Sequence, residues 1–303
     1  MEEILIKAAS FVAIIMMGNG LRRRGFFQEE DFYVLSKIVL KITLPAAIIT
    51  NFSGIDLKPS MLSVSLLGFA GGLLLIGAAY LATMGKGREE RAFHVLNLAG
   101  YNIGNFTMPF VQGFLGSLGV IITSIFDVGN AFICLGGAFS LAVMIKEGKG
   151  GFRLMPVLKT LFRSIPFDTY VLMTLLSLFH ISLPAPVVSF TGIIAGANGF
   201  MAMLMIGVGF KLSWDREQMG GIVRILVLRY SISIALAAGF YLLLPVSEEY
   251  RQVLAILVLS PIGSAAPAFT GNMGGDVGRS SAVNSLSIVI SVILITGMLL
   301  LIQ

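Results

Sequence analysis

Residues 97–130 read NLAGYNIGNFTMPFVQGFLGSLGVIITSIFDVGN, and the fold turns on this stretch. It overlaps 35 residues, Ala92 to Phe126, that contain no Lys, Arg, Asp or Glu. A run that apolar belongs in a bilayer, whose hydrocarbon takes about 20 residues of helix to cross. Yet Asn102, Gly104, Asn105, Thr107 and Pro109 interrupt it midway. Proline has no N–H and clashes with the preceding turn, so the helix is expected to open around Gly104 to Pro109. Unpaired backbone in hydrocarbon costs several kcal/mol per group and is tolerated where it lines a cavity. A broken helix near the midplane therefore predicts a binding site.

The same break recurs at Pro267, 158 residues after Pro109. Pro109 is followed by Gly113 and Gly116, and Pro267 by Gly271 and Gly274, so both copies read P-x-x-x-G-x-x-G. Paired interruptions in corresponding halves are the sequence mark of an inverted-repeat transporter.

Composition agrees. Hydrophobic residues make up 56% and charged residues 12% of the 303 residues, against about 25% charge in soluble domains. The mean hydropathy is +0.91. Ten apolar runs follow one another: Ile4–Gly20, Phe32–Phe52, Met61–Met84, Ala92–Phe114, Leu118–Ile145, Ile165–His180, Val187–Leu212, Ile222–Leu244, Val253–Phe269 and Ala282–Ile302. The expected fold is thus an all-α polytopic membrane protein of ten transmembrane helices in two five-helix repeats. The domain division is 1–147 for the first repeat, 148–164 for a connector and 165–303 for the second repeat. Phe152–Phe162 reads as a short amphipathic helix along the cytoplasmic interface. The start, MEEILIKAAS, carries acids where a signal peptide has its basic region, and reads as the lead-in to a permanent first span.

Fifteen Lys and Arg fall in loops after odd-numbered spans, among them Arg22, Arg23 and Arg24 and five from Lys146 to Arg163; the opposite side holds Lys7, Lys58 and Arg251. Cations mark the cytoplasmic face. Both termini are therefore expected outside a cell (inner) membrane, and an odd number of spans per half inverts the second repeat. The net charge of +5 is accounted for by these loops, so nucleic acid is not an expected partner. Cys134 stands alone, which gives no disulfide or metal framework. With no HExxH, Walker loop or nucleophile elbow either, the chain reads as neither an enzyme nor a cofactor or metal carrier.

Beyond each proline a half-helix should begin, with free amides from Phe110–Gln112 and Ala268–Thr270 facing a gap. Helix N-termini attract anions. Candidate substrate-binding residues are Asn102, Asn105, Thr107, Pro109 and Phe110 at the first break, and Ser264, Pro267 and Ala268 at the second. Ser260 and Thr270 flank the second break. Asp127 is the acid well inside the spans of the first half, and Asn130 shares its helix face. An intramembrane carboxylate is a functional candidate by default. Three roles stay open for it: taking a proton, binding a cation, or holding the broken segment. The last span carries Ser280, Asn284, Ser287 and Ser291 as a polar stripe that either packs on a neighbour or holds the second break. Asp127, Asn130 and Asn284 form the expected ion-coupling set, with H+ or Na+ as the ion. His94 and His180 read as interfacial, and Asp168 as cytoplasmic.

Three segments resemble the auxin efflux carrier family, which includes the plant PIN-FORMED proteins and bacterial organic-acid permeases. They are KITLPAAIITNF (Lys41–Phe52), Asn102 to Pro109 with its N-x-x-x-x-x-x-P spacing, and SPIGSAAPAF (Ser260–Phe269). The resemblance covers nearly the whole chain. It implies two inverted five-helix repeats, crossed broken helices 4 and 9, and an elevator motion of a transport domain against a scaffold. It gives Asn102 and Pro109 the family's substrate and crossover roles and sets Pro45 and Ile48 against the site from the scaffold. The short connector and the missing acid in the third span point to a bacterial-type member. The implied function is secondary active transport of a small organic anion: a carboxylate, a dicarboxylate or an auxin-like acid. The alternatives are a sodium-coupled symporter of the bile-acid type and a channel or receptor. A homodimer is kept open as a partner, beside the lipid bilayer.

The cation asymmetry makes a direct prediction. In a background lacking Cys134, cysteine at Ser117 or Ser182 reacts with an impermeant thiol reagent in intact cells, and cysteine at Gly150 does not. Labelling at Gly150 alone reverses the orientation.

Overall fold

The computed structural model describes residues 2–55, 57–148, 151–211 and 216–302. Every regular element among them is helical. The first three helices are α1 (Glu2–Arg23), α2 (Asp31–Phe52) and α3 (Pro59–Ala82). Two short ones follow, α4 (Arg88–Leu98) and α5 (Met108–Phe114), then the long α6 (Gly116–Glu147). After α7 (Leu154–Leu161) come α8 (Ile165–Leu178), α9 (Ala185–Gly209), α10 (Arg216–Leu243), α11 (Glu248–Val258), α12 (Ala266–Asn272) and α13 (Val277–Ile302). Among the described residues seven helices, α1, α2, α3, α6, α9, α10 and α13, are long and apolar enough to cross a membrane; α8 is apolar but has 14 residues. The chain is a multi-pass membrane protein. Lys149 and Gly150 of the connector, and Leu212 at the end of the seventh expected run, lie outside the described residues.

The fourth and ninth expected runs each come out as two helices with irregular backbone between them, at 99–102 and 259–265. The first opening lies earlier than Gly104 to Pro109. From Ile103 the chain already winds in wide turns: the Thr107 amide reaches the Asn102 carbonyl (3.2 Å), and the Met108 amide reaches Ile103. Pro109 lacks an N–H and crowds the carbonyl four residues back; a five-residue turn shifts that carbonyl aside and absorbs the proline into the winding. The amides of Phe110–Gln112 therefore sit inside the helix and do not face a gap. At the second break the Phe269 amide is likewise engaged, by the Ala265 carbonyl at 3.0 Å. Pro109 and Pro267 do stand in the first turns of α5 and α12. A similar wide turn, Val39–Thr43, precedes Pro45 in α2, and another, Ile133–Gly137, kinks α6 at Gly136 (φ 154°).

Two packing groups are evident. α1, α2, α8 and α9 pack chiefly on one another, as do α3, α4, α6 and α10–α13. The connector helix α7 buries Val157 and Leu161 against α6 and α8 and exposes Leu154 and Met155. At the loop end of α4, Arg279 takes Glu90 bidentately (2.7 and 2.8 Å) over the Phe93 ring, which holds the Glu90 carboxyl below the usual carboxylate range. His94 is buried beside it, near the loop end of α4, with Nδ1 2.8 Å from the Glu90 carbonyl. Asp168 is exposed near the start of α8.

Within each group, backbones touch through glycine, since in lipid helices associate by close packing. A Cβ at Gly129 of α6 would lie 1.8 Å from the Ser65 carbonyl oxygen of α3, and one at Gly207 of α9 would lie 2.1 Å from that of Ile15 in α1. Gly77, also on α3, meets nothing within 4 Å. Gly129→Ala is expected to cost about 1–3 kcal/mol by overpacking and to lower the thermal midpoint in detergent, while Gly77→Ala leaves it unchanged or raised; fluorescence-detected size exclusion after heating reads both.

Candidate transport site

The two breaks lie side by side. The Asn102 amide donates to the Pro261 carbonyl (2.9 Å), Asn105 Nδ2 donates to Ser264 Oγ (2.9 Å), and the Thr107 and Ser260 hydroxyls pair at 2.5 Å. A side chain that the sequence analysis did not single out, Arg229 of α10, holds them together. It is fully buried. Its guanidinium donates to the carbonyls of Leu98 (2.5 Å) and Gly100 (2.8 Å) at the first break, and of Ser260 (2.9 Å) and Pro261 (3.2 Å) at the second. It also stands 5.3 Å over the Tyr101 ring. An arginine in an apolar span is itself a signal for function; here it satisfies the carbonyls that two helix ends leave orphaned.

Side-chain amides bracket each break in turn. Asn130 mimics a peptide, accepting the Tyr101 N–H (2.9 Å) and donating to the Tyr101 carbonyl (2.8 Å). Asn284 donates to the Ile262 carbonyl (3.0 Å), Ser287 Oγ accepts the Ile262 amide (3.1 Å), and Ser291 donates to Leu259 (2.7 Å). The polar stripe of α13 thus holds the second break, with Ser280 bonded to Asn97 and Thr270. The far ends of the short helices are capped by lysines. Lys7 of α1 donates to the Gly113 carbonyl, and Lys146 of α6 to that of Met273 (2.8 Å).

Two cavities flank the breaks. The smaller, about 180 Å³, is lined by Asn102, Asn105, Asp127, Asn130 and Ser264, and by Leu40, Leu44 and Tyr170 from the neighbouring group. The larger, about 430 Å³, reaches from Asn102, Ser264, Pro267, Ala268 and Asn284 to Arg22, Glu29 and Lys211. Asn102 and Ser264 line both. At the mouth of the larger one, Lys211 bonds Glu29 (2.6 Å) and holds that carboxyl below its usual range. Thr107, Pro109 and Phe110 are buried and line neither cavity; Phe110 packs edge-on against Phe11 at 4.9 Å. Pro45 and Ile48 are buried within α2, where Leu40 and Leu44 face the cavity in their place. The wide turn at Val39–Thr43 shifts the helix face, which no apolar spacing could have announced.

The arrangement is that of a membrane protein with two interrupted helices side by side and a cavity on either flank. Residues 4–156 match the profile of a family described as Membrane transport protein, and the chain belongs to that family, the auxin efflux carriers whose motifs it resembles. An uncharacterized transporter of Methanothermobacter thermautotrophicus is 23% identical over 235 residues, 76% of this chain and 76% of the relative. The protein is a membrane transporter.

Removing Arg229 strands the buried carbonyls of Leu98, Gly100 and Ser260, while Pro261 keeps the Asn102 amide. Arg229→Leu is expected to cost about 3–5 kcal/mol, the scale for breaking a buried charge interaction, and Arg229→Lys, with one ammonium for the fork, to recover only part of it. Thermal melts of the purified variants, together with folded yield, check the order.

Proposed function

We propose that the chain is a secondary active carrier of a small organic anion, working by alternating access around the two breaks. The observation that carries the proposal is the pair of cavities that meet on the polar side chains of Asn102 and Ser264. A solute bound there touches both interrupted helices, and each cavity has walls from both packing groups. The side-chain donors of Asn102, Asn105 and Ser264 on the cavity walls make the neighbourhood favourable to a carboxylate.

The finer architecture belongs to the same proposal. Ten membrane segments form two inverted five-helix repeats, 1–147 and 165–303, with segments 4 and 9 crossing at their breaks and 148–164 as the cytoplasmic connector. Support comes from corresponding positions: Pro109 and Pro267 start the short helices, and Asn130 and Asn284 bracket the breaks from the following segments. α1, α2, α8 and α9 serve as scaffold, and the other group moves as the elevator. Asp127 couples the movement to a cation gradient. With both termini outside, the larger cavity and its Arg22, Glu29 and Lys211 rim open to the cytoplasm.

Thermal-shift screening of the purified protein against a carboxylate panel identifies the substrate class, and counterflow in liposomes separates a carrier from a channel. Asn102→Ala is expected to weaken binding by about 1–3 kcal/mol, and Asp127→Asn to abolish gradient-driven uptake while preserving counterflow. Wild-type transport by both variants sinks the proposal.

A further inference from the structure

Asp127 has two carboxylate oxygens in different surroundings. Oδ1 accepts from Asn130 Nδ2 at 2.8 Å. Oδ2 looks towards Gly104: a Cβ built there would stand 3.8 Å from Asp127 Oδ2, 3.7 Å from the Tyr170 hydroxyl and 2.9 Å from a Leu44 methyl. The two oxygens thus converge on one small space, which the missing side chain of Gly104 leaves open. Tyr170 is 1% exposed, and its hydroxyl turns to the Asp127 carboxylate without closing a hydrogen bond of normal geometry. Asn105, 7% exposed and lining the same cavity, likewise leaves Oδ1 without a partner. Buried polar atoms are almost always paired, so two orphans beside a half-satisfied carboxylate point to something that completes them.

We propose that Asp127 Oδ2, the Tyr170 hydroxyl and Asn105 Oδ1 frame a site for a small monovalent cation, H+ or Na+. The set is oxygen only, which suits a hard ion and not a transition metal. A single carboxylate balances a single positive charge. Among the described residues, the other ionisable groups near the spot are turned to other partners. Arg229 of α10 is engaged with carbonyls, and Cys134 turns its thiol to Asn130 Oδ1 and the Tyr101 carbonyl. Tyr101 lies at the break, its hydroxyl directed to Gly71. α2 presents Leu40 and Leu44, α3 packs Gly68 against the backbone of α6, and α4, α5, α7 and α11 add nothing to the lining.

Tyr170 belongs to α8, in one packing group, and Asp127 and Asn105 belong to the other side of the cavity. The site is therefore complete only while α8 and α6 stand in register. Cation occupancy then favours that register, and relative movement of the groups opens the site. This coupling role rests on the carrier reading above; the cation site itself does not.

The test uses the purified full chain in detergent, with two arms. Sodium chloride is titrated against choline chloride at equal ionic strength and alkaline pH, and pH is lowered in choline chloride alone. One arm is expected to raise the thermal midpoint, and Asp127→Asn to abolish that response. Tyr170→Phe, which keeps the ring, shifts half-saturation by about tenfold, or about one pH unit, as loss of a hydrogen bond to a charged group implies. Gly104→Ala, whose methyl fills the space, does the same or more. A wild type indifferent to both cations, or variants with wild-type half-saturation, overturns the site. Carboxylate counterflow is measured in parallel: counterflow without a cation response overturns the site alone, and a cation response without counterflow supports the site while the carrier reading falls.

Discussion

One guanidinium meets two helix ends, and the architecture of the centre follows from that meeting. A buried, unpaired cation is among the costliest groups a protein can hold. Arg229 has no carboxylate partner among the described residues. Its counter-charge is backbone: α4 and α11 both end at it, and each C-terminus carries roughly half a negative charge. Two such ends make up about one unit, delivered through the carbonyls of Leu98 and Gly100 on one side and Ser260 and Pro261 on the other. The interruption of the helices, which would be prohibitive in hydrocarbon, is what neutralises the arginine. Charge and break solve each other's problem.

The remaining polar groups divide the labour. α5 and α12 have seven residues each, too short to hold a helix by their own hydrogen bonds. Asn130, Asn284 and Ser287 fix the chain where it leaves the regular helix, and Lys7 and Lys146 satisfy carbonyls at the opposite ends. With these fixtures in place, Asn102, Asn105 and Ser264 keep faces turned to the cavities, and Asp127 keeps one oxygen free of its neighbour Asn130.

Much of this was legible in the residues. Uninterrupted apolar runs announced the seven membrane-length helices among the described residues, and Pro109 and Pro267 announced that the fourth and ninth runs break. The polar stripe of α13 was visible as helical spacing, and one of its two readings, support of the second break, matches its bonds. The place of the first break was not legible, because a wide turn can swallow a proline, and only the backbone records whether it does. The same kind of turn exchanged Pro45 and Ile48 for Leu40 and Leu44 at the cavity wall. Arg229 was overlooked for a different reason. A lone arginine in a span suggests a missing acid, and its partners here are carbonyls, which every residue possesses and no sequence pattern marks. Tyr170 was hidden by the same rule: nothing local distinguishes a tyrosine that faces a carboxylate from one that fills a core.

The carbonyl clamp also has an order in time. Leu98 leaves the ribosome 131 residues before Arg229, so the first half reaches the bilayer with the Leu98 and Gly100 carbonyls still unpaired. Until α10 arrives those carbonyls need water or a borrowed donor, and the first break can mature only as a long-range event late in synthesis. Each half carries groups that the other must finish, which makes this centre a closure between two parts and not a property of either.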